Sequence, residues 1–483
     1  MAQKEEKADQ GPEQPKPGSD VPKGRISRFS RLAKMGASVS AVVASKAIKK
    51  GVTGAGRAAK KSDPGVEPDE EQKRRELVEE AHRLTETYGL TVEAAQRIVD
   101  TLGEMKGAAM KFGQQLAMEQ DFLPPEVRPI VAKLWNQAPF MEFDKLRSVV
   151  ERELEGPLGD HFEFVDPNPF AAASLGQVHR ARLKNGDEAA IKIQYPGVDE
   201  ALINDLKNLG AMVKTLAAMT GKSRVASAYF KEVAVETENE LDYIHERRNI
   251  RAMKKALEPW PDIVVPQFHR RHSSHRVLTM GFIEGTTLKD LVNKGGYSEQ
   301  DAHRIGTQLI RAVLGPFFHK GIIHADPHPG NWLILPDGRL GVLDFGCVKT
   351  LPEEFVKTYL FLAHKDLVEA EEPDLLAALT SAGFKFDIPE ESSRQILNDI
   401  SKMIRRPLAA EHYDFGQSTL ILEVRAYSLK RTRDFMHIEP PTEAIFFFRA
   451  LLGLVQNLKA LGAKGDFRAV AQELVRGDYL NRS

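Results

Sequence analysis

The chain carries the stretch GIIHADPHPGN at residues 321–331 and the triplet DFG at residues 344–346. Asp326 and Asn331 are five positions apart, which is the spacing of the catalytic loop in phosphoryl-transfer enzymes. In such a loop the carboxylate faces the attacking hydroxyl or water, and the asparagine amide oxygen binds Mg²⁺. Asp344 ends a short apolar run, where its carboxylate would hold Mg²⁺ against nucleotide phosphates. We therefore predict Asp326 and Asn331 as catalytic residues, with Asn331 and Asp344 as ligands of Mg²⁺.

A predicted β-hairpin lies upstream of these motifs. Residues 177–183 and 188–193 have strand-like composition, and the Asn-Gly pair between them favours a two-residue turn. Lys192 lies in the apolar return strand, a pattern that places an ammonium group on the α- and β-phosphates of a nucleotide. Taken alone, such a lysine is more often a charge on an edge strand.

A small-residue segment precedes the hairpin, where a protein kinase has its glycine-rich phosphate loop. It consists of Ala171, Ala172, Ala173 and Ser174. Because alanine carries a Cβ and tolerates positive φ poorly, we expect this loop to be stiffer and to approach phosphates differently.

Two further segments have helical periodicity. Apolar residues recur every three or four positions from Phe230 to Ile244, with acidic residues on the flanks, so that one carboxylate could pair with Lys192. The alternative is a solvated acidic face. A second seam runs from Ile98 to Leu116, and on periodicity alone its neighbour Lys111 is an exposed lysine.

The composition is that of a soluble globular protein. The 483 residues include 67 basic and 68 acidic side chains, a net charge of −1 that gives no indication of a nucleic-acid partner. The single cysteine, Cys347, excludes an internal disulfide framework and any multi-cysteine metal site, and we interpret it as a packing residue.

The balanced charge conceals a basic segment. Residues 21–62 contain eleven Lys or Arg and no Asp or Glu. Their charge-free run at residues 35–45 is too short to cross a bilayer, which needs about 20 apolar residues. We expect a basic helix lying on an anionic membrane surface, with a solvated basic linker as the alternative.

Other patterns are weaker. His324 and His328 have the spacing of a zinc pair, but the prolines beside them prevent the helix that such a pair needs. His269, His272 and His275 cluster in a predicted polar turn, where we do not expect a metal. The apolar run at residues 446–458 is interrupted by an arginine, and we expect it to be too short to span a membrane.

With these motifs in order, the chain resembles the UbiB/AarF-type atypical kinases, the family that includes the mitochondrial coenzyme Q kinase-like proteins. The resemblance covers roughly residue 76 to the C-terminus. It rests on Lys111-Phe112-Gly113-Gln114, Ala171-Ala172-Ala173-Ser174, Ala190-Ile191-Lys192, Glu240-Leu241-Asp242, the 321–331 loop and Asp344-Phe345-Gly346. The chain departs from some bacterial members in lacking two C-terminal transmembrane helices by sequence, and from kinases in lacking an Ala-Pro-Glu motif.

The resemblance implies roles for further residues. A helix carrying Lys111 and Gln114 would cover the substrate site, with Lys111 paired to Glu240 or Asp242. Glu246 would be the partner of Lys192 when nucleotide is bound. The adenine of ATP would meet a hinge that includes Met280 and Phe282, and the Ala171–Ser174 segment would face the phosphates.

The implied fold class is α+β, a two-lobed protein-kinase-like fold with an N-terminal Lys-x-Gly-Gln extension and a helix-rich C-lobe. We predict a tail and basic segment at 1–75, a helical extension at 76–165, an N-lobe at 166–284 and a C-lobe at 285–483. The implied cofactors are ATP and Mg²⁺. The implied activity is ATPase or restricted phosphotransfer that supports ubiquinone biosynthesis.

The expected location is cytoplasmic, peripherally bound to the inner face of a membrane. Expected partners are anionic lipid, quinone-biosynthesis proteins or a lipid-like small molecule, and a second copy of the chain. Two alternatives stay open. A nucleotide-sensing scaffold would need ATP binding but not hydrolysis. A soluble small-molecule kinase would phosphorylate a soluble hydroxyl compound rapidly and would not need the Lys111 segment.

Overall fold

The computed structural model describes residues 140–173, 175–200, 202–204, 206–207, 210, 231, 234–235, 237–369 and 371–476. These residues form several β-sheets and a larger number of α-helices. The predicted Lys111 segment and the basic segment at 21–62 lie outside them.

The strands fall into two four-stranded sheets and three two-stranded pairs. In chain order they are β1 (Phe162–Ala173), β2 (Gly176–Leu183), β3 (Glu188–Gln194), β4 (Ile263–Val264), β5 (Val277–Gly281), β6 (Thr286–Thr287), β7 (Ile322–His324), β8 (Trp332–Ile334), β9 (Leu340–Val342), β10 (Val348–Thr350), β11 (Lys385–Phe386), β12 (Tyr413–Asp414), β13 (Ile438–Glu439) and β14 (Lys464–Gly465).

Helices surround these sheets and predominate after residue 350. In chain order they are α1 (Phe143–Glu153), α2 (Leu158–His161), α3 (Tyr243–Ala256), α4 (Leu288–Lys294), α5 (Glu299–Lys320), α6 (Glu353–His364), α7 (Leu375–Ser381), α8 (Glu390–Ala409), α9 (Leu420–Lys430), α10 (Thr432–Phe435), α11 (Thr442–Leu461) and α12 (Arg468–Arg476). One π-helical turn at Lys365–Glu369 continues α6.

The first sheet is antiparallel, in the order β1-β2-β3-β5. The predicted hairpin is present, with Gly186 at φ 88° in the turn that joins β2 to β3. The prediction of a loop at the alanines was wrong. Ala171, Ala172 and Ala173 are the last residues of β1 and pair with the start of β2, because the hairpin turn is so tight that the strand ladder reaches Gly176.

Buried polar contacts attach the segment before α1 to this sheet. The Gln177 side chain donates to the Met141 carbonyl at 3.1 Å and accepts from the Met141 amide at 2.8 Å. His179 donates from Nδ1 to the Asp166 carbonyl at 2.7 Å, which leaves Nε2 to accept from Gln177 at 2.9 Å. Apolar residues of α1 then pack on the sheet in one cluster with β2 and β3.

The helix that follows this hairpin differs from its prediction. The periodicity from Phe230 to Ile244 predicts one helix, but the described chain turns at Glu240 and Leu241 and starts a new helix, α3, at Tyr243. Asp242 causes the restart, because its side chain accepts the Ile244 amide at 2.9 Å as an N-cap.

The second sheet has the order β4-β9-β8-β6 and lies beside the long helix α5. A capping box of Ser298 and Asp301 begins α5, and Gly321 ends it with the left-handed φ of 65°. Leu309, Ala312 and Phe317 of this helix are fully buried in the main apolar core. The loop with Asp326 leaves this core between β7 and β8.

The C-terminal apolar run is longer than predicted. It forms the 20-residue helix α11, so the expectation that it is too short to span a membrane was wrong on length. Among the described residues it is the one helix long and apolar enough to cross a bilayer, with half of its apolar window buried inside the protein. Its residues Ala444, Phe447 and Ala450 belong to the main core, as in the core helix of a soluble protein.

Gly453 of α11 provides a test of how tightly this helix packs on the Asp326 loop. A Cβ there would lie 2.0 Å from Cγ of Pro327. We expect Gly453→Ala to lower the free energy of unfolding by about 2 kcal/mol. Overpacking costs about 1–3 kcal/mol, and the higher helix propensity of alanine offsets up to about 1 kcal/mol of this. Urea unfolding measures this change.

Gly159→Ala is the matched control, because a Cβ at Gly159 meets nothing within 4 Å. The control should leave the free energy of unfolding unchanged or raise it by up to about 1 kcal/mol, because it gains helix propensity without a clash. Equal effects from the two substitutions would contradict close packing of α11 on the loop.

Candidate active site

An ion-paired lysine lies at the centre of the site. Lys192 projects from β3 and places Nζ 2.9 Å from both carboxylate oxygens of Glu246 on α3. The same Nζ is 3.6 Å from Oδ2 of Asp344. Lys192 and Glu246 are 7% and 4% exposed, so this charge pair is almost completely removed from water. The pair implied by the family resemblance is therefore present as a contact.

Electrostatics keep the ammonium charged. Burial alone would lower the pKa of Lys192, but the carboxylates of Asp344 and Glu246 outweigh burial, and the pKa is raised above its ordinary value. Burial raises the pKa of Glu246, which Lys192 opposes. Tyr243 adds its ring to this environment, 5.1 Å from Nζ of Lys192.

Backbone contacts connect α3 to the Asp-Phe-Gly turn. Glu246 accepts the Phe345 amide at 3.5 Å, and Asn249, one turn along α3, donates to the Phe345 carbonyl at 2.8 Å. Asp344 is fixed by the Gly346 amide, which donates to its Oδ1 at 2.7 Å. The lysine partner and the predicted metal ligand are thus held by one set of contacts.

The predicted catalytic loop brings Asp326 and Asn331 together. Nδ2 of Asn331 donates to the carbonyl and to Oδ2 of Asp326, both at 3.1 Å, which directs its amide oxygen away from this contact. His324 is fully buried and connects the loop to the metal-ligand turn, because its Nε2 donates to the Asp344 carbonyl at 2.5 Å. Burial lowers the pKa of His328, whose Nδ1 accepts the Gly330 amide at 3.0 Å.

The structure adds a residue that the sequence did not indicate. Nη2 of Arg449, from α11, is 3.5 Å from Oδ1 of Asp326. On the same helix, Asn457 donates to the Pro327 carbonyl at 2.7 Å. These contacts join positions that are 123 and 130 residues apart in the chain. The only sequence feature that points to them is the charge of Arg449 within an apolar run.

The helix that is predicted to cover the substrate site lies outside the described residues, but its two predicted partners, Glu240 and Asp242, lie within them. Glu240 lies in the turn before α3, with its side chain beside Gly346, and Gln194 donates to its carbonyl at 3.3 Å. Asp242 caps α3 and is 3.0 Å from Nδ1 of His275. Lys111, Gln114 and Ser174 lie outside the described residues, so their pairing and roles stay predictions.

The predicted hinge lies at the end of β5 and just after it. Met280 pairs with Ala190 of β3, and the Phe282 amide donates to the Glu188 carbonyl at 3.0 Å. Two residues that the sequence analysis did not single out contact Phe282. Phe170 meets its ring edge-to-face at 5.7 Å, and the guanidinium of Arg180 lies 4.6 Å from the ring centre.

Metal-site geometry elsewhere is not evident. His269 precedes a short 3₁₀ turn at Arg270–His272, and His272 is its last residue. Throughout the described ranges, no three or more His, Cys, Asp or Glu side chains are grouped to hold a metal ion. Cys347 is buried with Ala325 and Phe446 in a small apolar cluster.

A lysine–glutamate pair, an aspartate-asparagine loop and an Asp-Phe-Gly turn define a kinase-like protein. A family model described as the ABC1 atypical kinase-like domain matches residues 133–375, about half of the 483 residues. The chain belongs to the ABC1 atypical kinase-like family, which confirms the resemblance to UbiB/AarF kinases.

Named relatives agree with this assignment. Protein ACTIVITY OF BC1 COMPLEX KINASE 3, chloroplastic, from Arabidopsis thaliana is 35% identical over 251 residues, which are 51% of this chain and 35% of that protein. Atypical kinase COQ8B, mitochondrial, from Danio rerio is 28% identical over 391 residues, which are 79% of this chain and 61% of that protein. The chain thus spans about a third to three fifths of the length of these relatives.

A solved structure also matches. The structure titled as the Rv3197–erythromycin complex from Mycobacterium tuberculosis is similar with a TM-score of 0.56 and 28% identity. The match covers 84% of this chain and 98% of that one.

A double-mutant cycle tests the buried pair. Breaking a buried ion pair by removing one partner costs about 3–5 kcal/mol, and we expect about 3 for Glu246→Gln because Asp344 stays near Lys192. The double variant with Lys192→Met should lose less than the sum, with a coupling of about 1–3 kcal/mol in urea unfolding.

The exposed pair of Arg394 and Glu390, 2.9 Å apart, is the control cycle. Its coupling should stay below about 0.5 kcal/mol. A buried pair with coupling as small as this control would show that the observed contact contributes little to stability.

Proposed function

We propose that the chain is an ATP- and Mg²⁺-dependent atypical kinase or ATPase that acts at a membrane surface and supports isoprenoid-quinone biosynthesis. One observation carries the proposal. Lys192 is held by Glu246 beside Asp344, and the backbone of Asp344 is bonded to the loop that contains Asp326 and Asn331. Kinase chemistry needs these groups together.

The described residues fit a nucleotide between two lobes. The first sheet and α3 would form one lobe, and the part from α4 onward the other. Gly176 at the start of β2 lets this strand lie close against β3, because a Cβ there would lie 2.0 Å from the Ile193 carbonyl oxygen. The strand conformation of Ala171–Ala173 supports a rigid cradle and hence restrained turnover.

The donor set fits Mg²⁺. Asn331 presents an amide oxygen and Asp344 a carboxylate, and hard oxygen ligands are those that Mg²⁺ prefers. When bound, Mg²⁺ neutralises charge on the phosphates of ATP. Asp326 would orient or deprotonate the nucleophile, and Lys192 would contact the α- and β-phosphates.

The membrane and quinone parts of the proposal rest on different support. Residues 21–62 carry eleven basic and no acidic side chains, a composition suited to anionic lipid. Relatives named COQ8B and coq-8 are mitochondrial atypical kinases, which supports a role in ubiquinone biosynthesis. The proposed location at the inner face of a membrane rests on the basic segment alone. Quinone-biosynthesis proteins or a lipid-like small molecule would be the partners.

Asp326→Asn tests the catalytic role. We expect the steady-state ATPase rate to fall by about 100-fold or more, since the variant keeps the shape but loses the carboxylate that acts on the nucleophile. The dissociation constant for ATP, measured by calorimetry, should change little.

Asp337→Asn, in an exposed turn, is the matched control and should keep the wild-type rate. If Asp326→Asn also kept that rate, the role of Asp326 would be wrong. If it lost turnover yet restored quinone synthesis in a deficient strain, the protein would act as a nucleotide-sensing scaffold.

Arg449→Met tests the contact from α11. The guanidinium of Arg449 lies 3.5 Å from the Asp326 carboxylate and would stabilise its charged form. We expect a fall in kcat of about tenfold or more with little change in the KM for ATP, and partial rescue by Arg449→Lys. Lys459→Met, in the last turn of α11, should leave both constants unchanged; a similar loss there would indicate a purely structural effect.

A further inference from the structure

Two phenylalanine rings and a guanidinium group meet on the surface of the first sheet, beside the predicted hinge. The ring of Phe282 meets the ring of Phe170 edge-to-face, with 5.7 Å between the ring centres. The guanidinium of Arg180 lies 4.6 Å from the centre of the Phe282 ring. We call these three residues the hinge cluster. They come from β1, from β2 and from the position after β5, so the folded sheet is what brings them together.

The hinge cluster lies on the face of the sheet that carries Lys192. Arg180 pairs with Ala190 across β2 and β3, and residues directly opposite each other share a face of the sheet. Ala190 is two positions before Lys192 on β3, and residues two apart in a strand also share a face. Arg180 is therefore on the Lys192 side, displaced along the strands towards the hinge by about 7 Å. A nucleotide with its phosphates at Lys192 would place its base at this end, one ribose away.

A β-bulge directs Phe170 into the hinge cluster. Pro169 pairs with His179 on β2. Ala171 pairs with the adjacent residue Val178, so Phe170 is an extra residue without an opposite partner on β2. Bulges of this kind are common next to active sites, where they re-aim a side chain. The side chain of Phe170 is 53% exposed, which leaves much of its ring available to a ligand.

Polar contacts hold the other two members of the cluster in place. The Phe282 amide donates to the Glu188 carbonyl at 3.0 Å. The carboxylate of Glu188 accepts Nε of Arg180 at 3.0 Å and Nε of Arg182 at 2.8 Å. These bonds keep the guanidinium of Arg180 over the Phe282 ring, where the π-electrons attract a cation. The protein itself therefore fixes the position of the Phe282 ring.

We infer that Phe170 and Phe282 cover the base of the bound nucleotide by stacking, that Arg180 positions the Phe282 ring for this contact, and that the cover selects purine nucleotides. The inference rests on the proposed function for the presence of ATP. The family resemblance implies a contact of the base with Phe282 alone, and Phe170 and Arg180 are additions to it.

A purine fits this cover better than other ligands do. Every nucleic-acid base offers a flat π-face on which an aromatic side chain stacks. Two fused rings present a larger face than the single ring of a pyrimidine, so a purine gains more contact area with the same two side chains. Selection for purines therefore follows from ring area, without a dedicated hydrogen bond from the cluster.

The test compares binding of Mg²⁺–ATP and Mg²⁺–CTP by the full chain. The two nucleotides share the ribose and triphosphate, so the ratio of their dissociation constants reports on the base. Calorimetry measures the tighter constant directly and the weaker one by displacement. The variants are Phe170→Ala, Phe170→Tyr and Arg180→Met. The controls are Phe164→Ala, which removes an equally exposed ring from β1, and Arg182→Met, which removes the second cation bound to Glu188.

We expect Phe170→Ala to weaken ATP binding about tenfold and CTP binding by no more than about threefold, because the larger base loses more stacking. Phe170→Tyr keeps the ring and should bind both nucleotides as the wild type does. Arg180→Met should lower the preference for ATP over CTP by about threefold, since the Phe282 ring loses its cation. Both controls should keep the wild-type constants, and thermal unfolding checks that each variant is folded.

Several results would overturn the inference while leaving the proposed function intact. They are equal affinity of the wild type for ATP and CTP, unchanged binding in Phe170→Ala, and an equal loss for both nucleotides, which would indicate a structural role. A loss in Phe164→Ala as large as that in Phe170→Ala would count against the cover in the same way. Failure of the wild type to bind either nucleotide would contradict the proposed function and the inference together.

Discussion

The structure depends on one desolvated ammonium group. Lys192 is 7% exposed, and a charge removed from water in this way is tolerated only when partners surround it. Its partners come from two distant parts of the chain, Glu246 on α3 and Asp344 after β9. The charge of Lys192 is therefore compensated only when β3, α3 and the Asp-Phe-Gly turn are all in position. A local side-chain requirement thus fixes the relation between three segments.

The same requirement extends to the backbone. Glu246 and Asn249 contact the amide and the carbonyl of Phe345, so α3 cannot move without breaking bonds to the Asp-Phe-Gly turn. His324 continues the connection by donating to the Asp344 carbonyl from the strand that precedes the Asp326 loop. The groups that the proposed reaction needs are thus held by buried contacts at Lys192 and Glu246 and by half-buried contacts at Asp326, Asn331 and Asp344.

Local patterns predicted much of this arrangement. The β2–β3 hairpin and strand β9 were predictable because turn residues and short apolar runs act within a few positions. The break before α3 was not, because Thr237, Leu241 and Ile244 keep a helical period across it. The cap at Asp242 that ends this period is a single side-chain contact, which periodicity cannot register. Similarly, the alanines of β1 became strand through hairpin pairing with β2, which neither their composition nor apolar periodicity indicates.

Arg449 shows most clearly what a linear pattern omits. As a charge in an apolar run, it reads as an interruption that argues against a membrane span. In the fold, α11 is a continuous 20-residue helix. Its Arg449 faces the loop that contains Asp326, and Nη2 of Arg449 is 3.5 Å from the carboxylate of that residue. Gly453 and Asn457, one and two turns further along, contact Pro327 of the same loop. Arg449 and Asn457 of α11 therefore face the Asp326 loop, whereas Ala444, Phe447 and Ala450 of the same helix are buried in the core.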